Sequence, residues 1–553
     1  MNFIKYCAKN LGILTMFTIV PTAMLCGCDQ SGVSRLVNVN TNEIVLGDDS
    51  LLISEGGSYT VSGSLDEGQI VIEVPKSDKV ELILDGVDIS CQSSAPIYIK
   101  QADKVTITIA DGSENRLAVG GEFVQIDDNN IDAAIFSKED LELGGDGSLV
   151  ISCAEGNGIT SKDDLVITGG SYDITAGGHT LEANDLIQVD DGSFILVSGK
   201  DGLHAENNDD TTLGSILINS GSFDITSEGD GIDSAVALEI AGGEFNIVAG
   251  GGAPKADSGL GGGFGSGETQ STDTASGKGI KAKGNLSIQA GSFNINAHDD
   301  AVHTNADMTL DGGSFTILTG DNAFHADGTF KLNDGDVTIS QSYEGIEGLD
   351  IIINGGNISL VSTDDGINAA GGNDSSGFGG FKGGDMFTSS SGDITINGGV
   401  IVIDASGDGI DSNGGIYLNG GEVYVTGPTS GMDGALDYQT EGVVTGGIIV
   451  AVDAGQMTQN FGDSSTQPAM LVSAGDIATG ELVVTDADDN VLISFTPTNE
   501  YRCAIISLPE FAVGETYTVS FDGSEQTIEL TATIVGTRPR MGGMGHLINR
   551  AKQ

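Results

Sequence analysis

Carboxylates at fixed positions of a recurring turn are the groups of this chain best arranged to do chemistry. The turns read Asp201-Gly202-Leu203-His204, Asp230-Gly231-Ile232-Asp233, Lys278-Gly279-Ile280-Lys281 and Asp300-Ala301-Val302-His303. They continue as Asn322-Ala323-Phe324-His325, Glu344-Gly345-Ile346-Glu347, Asp365-Gly366-Ile367-Asn368, Asp408-Gly409-Ile410-Asp411 and Ser430-Gly431-Met432-Asp433. The third position is always apolar and is expected to point inward, which turns the fourth outward by strand alternation. Asp299 and Asp364 double the acid at two of these turns, and Asp209 with Asp210 adds a further pair.

Stacked one coil apart, equivalent acids would lie about 4.8 Å from each other. Two carboxylates at that spacing repel by about 0.9 kcal/mol in bulk water and about 3.5 kcal/mol at an effective dielectric near 20. A wet edge tolerates the first figure. A partly buried edge needs protonation, a basic neighbour or a metal. Ca²⁺ suits it, since calcium takes about six to eight oxygens from carboxylates, amides and carbonyls in loose geometry. The candidate ligands are Asp201, Asp230, Asp233, Asp299, Asp300, Glu344, Glu347, Asp364, Asp365, Asp408 and Asp411. Asp-Gly also makes turns for purely local reasons, so any single turn can be structural. His179, His204, His303 and His325 raise zinc, with His303 and His325 on adjacent coils. The absence of a Cys partner and the abundance of oxygen favour calcium.

The elements that must position these turns repeat. A Gly followed two residues later by a large apolar residue falls at 170, 192, 221, 243, 291, 313, 335, 356, 399, 421 and 447. The commonest spacing is 22, and the two longest gaps, 48 and 43, are about two beats each. Apolar residues alternate with period two between these glycines, which predicts short strands punctuated by Gly, Asn and Asp. One such unit per turn is a parallel β-helix, an all-β solenoid of about 22 residues per coil. Its expected hand is right, the hand of nearly all parallel crossovers.

The β-helix extends over residues 46–455 and is regular over 130–455, with Gly-rich insertions near 250–277 and 369–391 that carry Phe264, Phe378, Phe381 and Phe387. The first coils, including VELILDGVDI (80–89), are longer and less regular. After 456 the beat stops. ELVVTDADDNVLISFTP (481–497) and ETYTVSFDGSEQTIELTATIV (515–535) read as hairpins of a small antiparallel module over 456–536, followed by a basic tail over 537–553.

Lys5 and Lys9 precede an apolar run from Leu11 to Leu25, a signal-peptide core too short to span a membrane. Leu25-Cys26-Gly27-Cys28 resembles a bacterial lipobox, which implies cleavage after residue 27, lipid on Cys28 and a polar tether over 28–45. The expected location is the bacterial cell envelope, with membrane contact only through that anchor. Cys91, Cys153 and Cys503 then remain, too scattered for a disulfide framework. The net charge is −58, which excludes nucleic acid as a partner, because phosphate binding needs a basic face.

Several passages resemble one family, the calcium-binding, pectate-lyase-like β-helix proteins of bacterial surfaces that bind carbohydrate. They are GSYTVSGSL (57–65), VELILDGVDI (80–89), AAIFSKEDLELGGDGSL (133–149), NGITSKDDLVITGGSYDITAGG (157–178) and DDAVHTNAD (299–307), and the likeness extends over roughly 45–455. It implies a right-handed β-helix, bound calcium at Asp201, Asp230, Asp233, Asp300, Asp365, Asp408 and Asp411, and binding of acidic plant polysaccharide such as polygalacturonate, with cellulose a further ligand. Lys278 and Lys281 break the acidic pattern.

Three functions fit. In the first, a monomeric binding protein holds a uronate polymer by calcium bridges, which resolve the repulsion between two polyanions. A polysaccharide lyase is the second, with Lys281 as the base at C5. Acidic neighbours raise a Lys pKa, however, and disfavour the neutral base. The third is a surface adhesin that binds no sugar.

Overall fold

The structure, a computed structural model, describes residues 35–254, 276–369, 392–430, 433–522 and 524–536. Every regular element among them is a β-strand. The alternation read from the sequence sets which side chains turn inward: in Ser292–Ala297, Phe293, Ile295 and Ala297 are buried while Ser292 and Asn294 face solvent.

Strands pair in parallel with those one coil before and one coil after, in three ladders. The first runs through Leu181–Ala183, Leu203–Ala205 and Ile232–Ser234. The second contains Leu186–Val189, Ser215–Ile218 and Leu238–Ile240. The third contains Ser193–Ser198, Ser222–Ser227 and Glu244–Ala249. Successive coils feed all three ladders, Phe324–Leu332 and Ile346–Ile353 each serving the first two as one strand, so the body is a β-helix-like solenoid around one continuous apolar core.

The glycine beat has a packing cause. Two residues after each Gly, the rings of Tyr172, Phe194, Phe223, Phe245, Phe293 and Phe315 stack through the core with centroids 4.7–5.2 Å apart. Gly291 has φ +130°, and a Cβ there would sit 2.9 Å from Phe293 Cε2. The backbone must turn through a left-handed conformation directly over the ring, which only Gly does without strain. Each buried ring contributes about 2–3 kcal/mol from burial alone.

At the last coil the chain reverses. Tyr501–Ser507 pairs antiparallel with Ile448–Asp453 and with Ala469–Ala478. Leu482–Thr485, Val491–Phe495, Thr516–Phe521 and Ser524–Glu529 form a separate four-stranded antiparallel sheet over a second apolar cluster. Asp489 and Asp522 take positive φ in its turns. Cys91, Cys153 and Cys503 are buried in strands.

Two expectations change. Part of the stretch read as a tether already belongs to the body: Val37–Asn38 pairs with Leu51–Ile53, and Glu43–Val45 with Gly57–Leu65. These strands are too short for their alternation to register. The last turn of the first ladder is Gly434-Ala435-Leu436-Asp437, because Ile410 pairs with Leu436 and Asp411 with Asp437, so Ser430 and Asp433 fall outside the repeat. Residues 1–34, which include Cys28, lie outside the described residues, as do 255–275, 370–391 and the tail from 537.

Candidate metal-binding seam

The first ladder brings the recurring turns into two adjoining columns. Its register aligns Leu181, Leu203, Ile232, Ile280, Val302, Phe324, Ile346, Ile367 and Ile410. The residues two before form one column, from His179 and Asp201 to Asp365 and Asp408. The residues one after form the other, from Glu182 and His204 to Asn368 and Asp411. The fourth position leaves the apolar core as expected, but it does not reach open solvent: Asp233, His303, His325 and Glu347 are all buried. Stacking at one-coil spacing covers each side chain with those above and below.

The first column has a structural duty that the sequence does not announce. Asp201 Oδ1 accepts the Asp230 N–H at 2.7 Å, and Asp230 Oδ1 that of Lys278 at 2.8 Å. Asp300 does the same for Asn322, Asp365 for Asp408 and Asp408 for Gly434. Each acid satisfies a donor of the next coil that would otherwise be orphaned at the corner. Its second oxygen is left for the seam.

Charge divides the seam into two parts. In the N-terminal part cations answer the acids. Lys278 Nζ lies 2.7 Å from Asp300 Oδ2 and 2.9 Å from Asp299 Oδ2. Lys281 Nζ lies 2.9 Å from Asp230 Oδ2 and 3.3 Å from Asp233 Oδ1. Burial disfavours the Lys281 ammonium, but Asp230 and Asp233 outweigh it and raise its pKa. Lys281 is therefore a counter-ion, held away from the neutral form that a base requires. His303 Nδ1 is 2.8 Å from Asp300 Oδ2, and His325 places Nδ1 2.7 Å from Glu347 and Nε2 3.1 Å from Asp327. The two rings stack with centroids 4.8 Å apart. Burial pushes Asp300 up, yet His303 and Lys278 hold it well below the usual carboxylate range. Glu347, expected as a calcium ligand, accepts from Asn322 Nδ2 and lies 2.7 Å from His325 Nδ1.

The C-terminal part has no such cations among the described residues. Asp365, Asp408 and Asp411 offer carboxylate oxygens all within 4.8 Å of one another. Burial first, then the neighbouring carboxylates, push Asp365 up to about 9, Asp408 to about 8 and Asp411 to about 6. On the preceding coil, burial and Glu347 raise Glu344 well above its ordinary range. Glu344 Oε2 and Asn368 Oδ1 are buried without a hydrogen-bond partner. Asp364 adjoins this group. Oxygen-rich, underneutralised and imperfectly bonded, this end has the donor chemistry of a calcium site.

Other sequence candidates separate from it. Asp299 turns to Lys278. Asp209 and Asp210 lie in an exposed turn organised by Asn207 and Thr212, away from the columns. His179, already a zinc candidate, extends the columns backward with Glu182, which the structure adds, and Asp163, Asp164 and Asp185 form another carboxylate group. The His179-Thr180-Leu181-Glu182 turn has neither the acid nor the Gly that marked the others. Its apolar third position, one beat before Leu203, is the signal that would have found it.

The fold and the site define the chain as a β-helix-like solenoid with charged residues stacked along one ladder. A family model described as "Carbohydrate-binding domain-containing protein" matches residues 47–328, about half the chain, and the protein belongs to that family. A carbohydrate-binding domain-containing protein of Acetivibrio thermocellus is 37% identical over an alignment of 180 residues that covers 29% of this chain and 63% of the relative. The solved structure of a polysaccharide lyase-like protein from C. thermocellum is 32% identical, with a TM-score of 0.36, over 39% of this chain and 90% of the other. The family match is shorter than the 45–455 expected. The His and Lys part of the seam lies inside it, and the Asp365, Asp408 and Asp411 group lies beyond it.

Proposed function

We propose that this protein is a lipid-anchored envelope protein that binds acidic polysaccharide through Ca²⁺ at the C-terminal end of the seam. The observation that carries the reading is the meeting of Asp365, Asp408 and Asp411 within 4.8 Å with no Lys, Arg or His in ion-pair contact among the described residues. Membership of a carbohydrate-binding family supports a polysaccharide as partner. Calcium would share its oxygens between these acids and a uronate carboxylate, so that a chain of net charge −58 can hold another polyanion. The body is right-handed in this proposal, Cys28 carries the lipid, and the protein is a monomer that binds without cleaving.

The test is retention on immobilised polygalacturonate. Retention with Ca²⁺, release by a chelator, and loss in Asp408→Asn are expected. Retention unchanged by chelator would remove calcium from the proposal, and no retention on any acidic glycan would leave the adhesin. Unsaturated, ultraviolet-absorbing product that disappears in Lys281→Ala would restore the lyase.

A further inference from the structure

At the other end of the seam, four side chains from three successive coils converge: His179, Asp201, His204 and Asp233. His179 Nδ1 lies 3.3 Å from Asp201 Oδ2, His204 Nδ1 lies 3.1 Å from the same oxygen, and His204 Nδ1 lies 3.4 Å from Asp233 Oδ2. The imidazole rings stack with centroids 4.3 Å apart, so both Nδ1 atoms face one carboxylate.

Hydrogen bonding does not satisfy this arrangement. His204 Nδ1 is buried, yet its geometry toward both carboxylates makes no hydrogen bond. His179 Nδ1 accepts the Asp201 N–H at 3.3 Å, which requires a bare lone pair. That lone pair then faces the Asp201 carboxylate oxygen at the same distance. A proton on Nδ1 would relieve the second contact and spoil the first. A cation shared by Nδ1 and that oxygen also gives up the long N–H contact, but unlike a proton it can bind His204 Nδ1 at the same time.

The dimensions select the cation. Around zinc, bonds of about 2.0–2.2 Å to His nitrogen and carboxylate oxygen in a tetrahedron place the donors about 3.3 Å apart. The three N···O separations here span 3.1–3.4 Å. The outer contacts are those of a supported site: Asp201 Oδ1 is fixed by the Asp230 N–H at 2.7 Å, and Asp233 Oδ1 is 3.3 Å from Lys281 Nζ. The side chains retain 10–17% exposure, enough to admit an ion.

The second histidine pair lacks these features. Lys278 already occupies Asp300 Oδ2, and both nitrogens of His325 are engaged.

We infer that His179, Asp201 and His204, whose donor atoms lie within 4.8 Å of one another, supply three ligands of a tetrahedral site for a borderline divalent transition metal of the zinc class, with Asp233 beside His204, separate from the calcium end and independent of any polysaccharide. The seam would then hold two chemically different ions.

The test uses full-length protein stripped of metal and titrated with Co²⁺ as a spectroscopic stand-in. Expected are the intense visible bands of tetrahedral Co²⁺, saturating at one equivalent, displaced by Zn²⁺ and not by Ca²⁺. His179→Gln and His204→Gln should each weaken Zn²⁺ binding at least about 100-fold, since loss of a ligand exceeds loss of an outer-shell contact. Asp408→Asn should leave the bands intact. Absence of tetrahedral bands in the wild-type protein overturns the proposal whatever the variants do. So does an ion that anomalous scattering from Zn²⁺-soaked crystals locates away from His204 Nδ1.

Discussion

Lys281 reaches from its own coil to Asp230 on the coil before, with Nζ 2.9 Å from Oδ2, and one carboxylate further to Asp233 at 3.3 Å. Lys281→Met would leave the buried Asp230 carboxylate without its counter-ion and Asp233 with His204 alone. The expected cost is about 3–5 kcal/mol, read from the urea midpoint. Lys283 pairs with Glu206 at 2.7 Å with half its side chain in solvent. Lys283→Met should therefore cost only about 0–1 kcal/mol. Equal losses would contradict the seam's account of Lys281.

The metal-free protein should lose stability as pH rises. Asp365 and Asp408 keep protons when folded, up to about 9 and about 8, that the unfolded chain releases near about 4. Folding then costs more with each pH step above that value. His204 and His325, raised to about 9 because nearby carboxylates outweigh burial, act in the same direction only above about 6.5. Between about pH 5 and 6.5 the raised carboxylates, Glu344 and Asp411 among them, rather than the histidines should set the slope. Thermal melts of Asp365→Asn/Asp408→Asn in chelator should be flatter there than wild type. An identical slope would remove these acids from the explanation.

Calcium should reverse that loss. At about 100 times its dissociation constant a ligand confined to the folded state adds about 2.7 kcal/mol. Wild type should gain this much in calorimetry, Asp408→Asn should gain nothing, and Asp209→Asn, in its exposed turn, should respond as wild type. A gain in Asp408→Asn equal to that of wild type would move the ion elsewhere.

Gly291→Ala tests the aromatic stack. The substitution combines positive-φ strain with a Cβ 2.9 Å from the Phe293 ring, and should cost about 2 kcal/mol or more. Gly86, at φ +77°, has nothing within 4 Å of its Cβ position. Gly86→Ala carries only the strain, about 1 kcal/mol, so its unfolding midpoint should fall less.

The body's architecture was legible because a buried alternating face and a recurring Gly-X-aromatic step each write a period into the chain. Which turns would stack was legible where acid, Gly and apolar residue coincided, as at Asp230 and Asp408. It failed at the end of the ladder, where Ser430-Gly431-Met432-Asp433 fits the pattern as well as Gly434-Ala435-Leu436-Asp437. Only the pairing of Ile410 with Leu436 decides between them. It failed again at His179, whose turn lacks both marker residues. The division of the seam could not be read from residue types, because it depends on which coil a Lys reaches. Lys278 serves Asp300 on the coil after, and Lys281 serves Asp230 on the coil before. Nor could the sequence show that first-position acids spend one oxygen on a backbone donor.

A stack of parallel strands offers its final strand as a template for the first strand of another molecule, the route by which such rods join end to end into fibres. Here Tyr501–Ser507 has already taken the outer side of Ile448–Asp453, running in the opposite direction. Beside it, the Gly442 and Val444 carbonyls accept from the Gly462 and Gln467 amides. Ala469–Ala478 covers the far side of Tyr501–Ser507 and is itself paired with Ile534–Val535, so an approaching copy finds the last strand and its neighbouring carbonyls already taken, and concatenation at this end is blocked by the chain's own backbone.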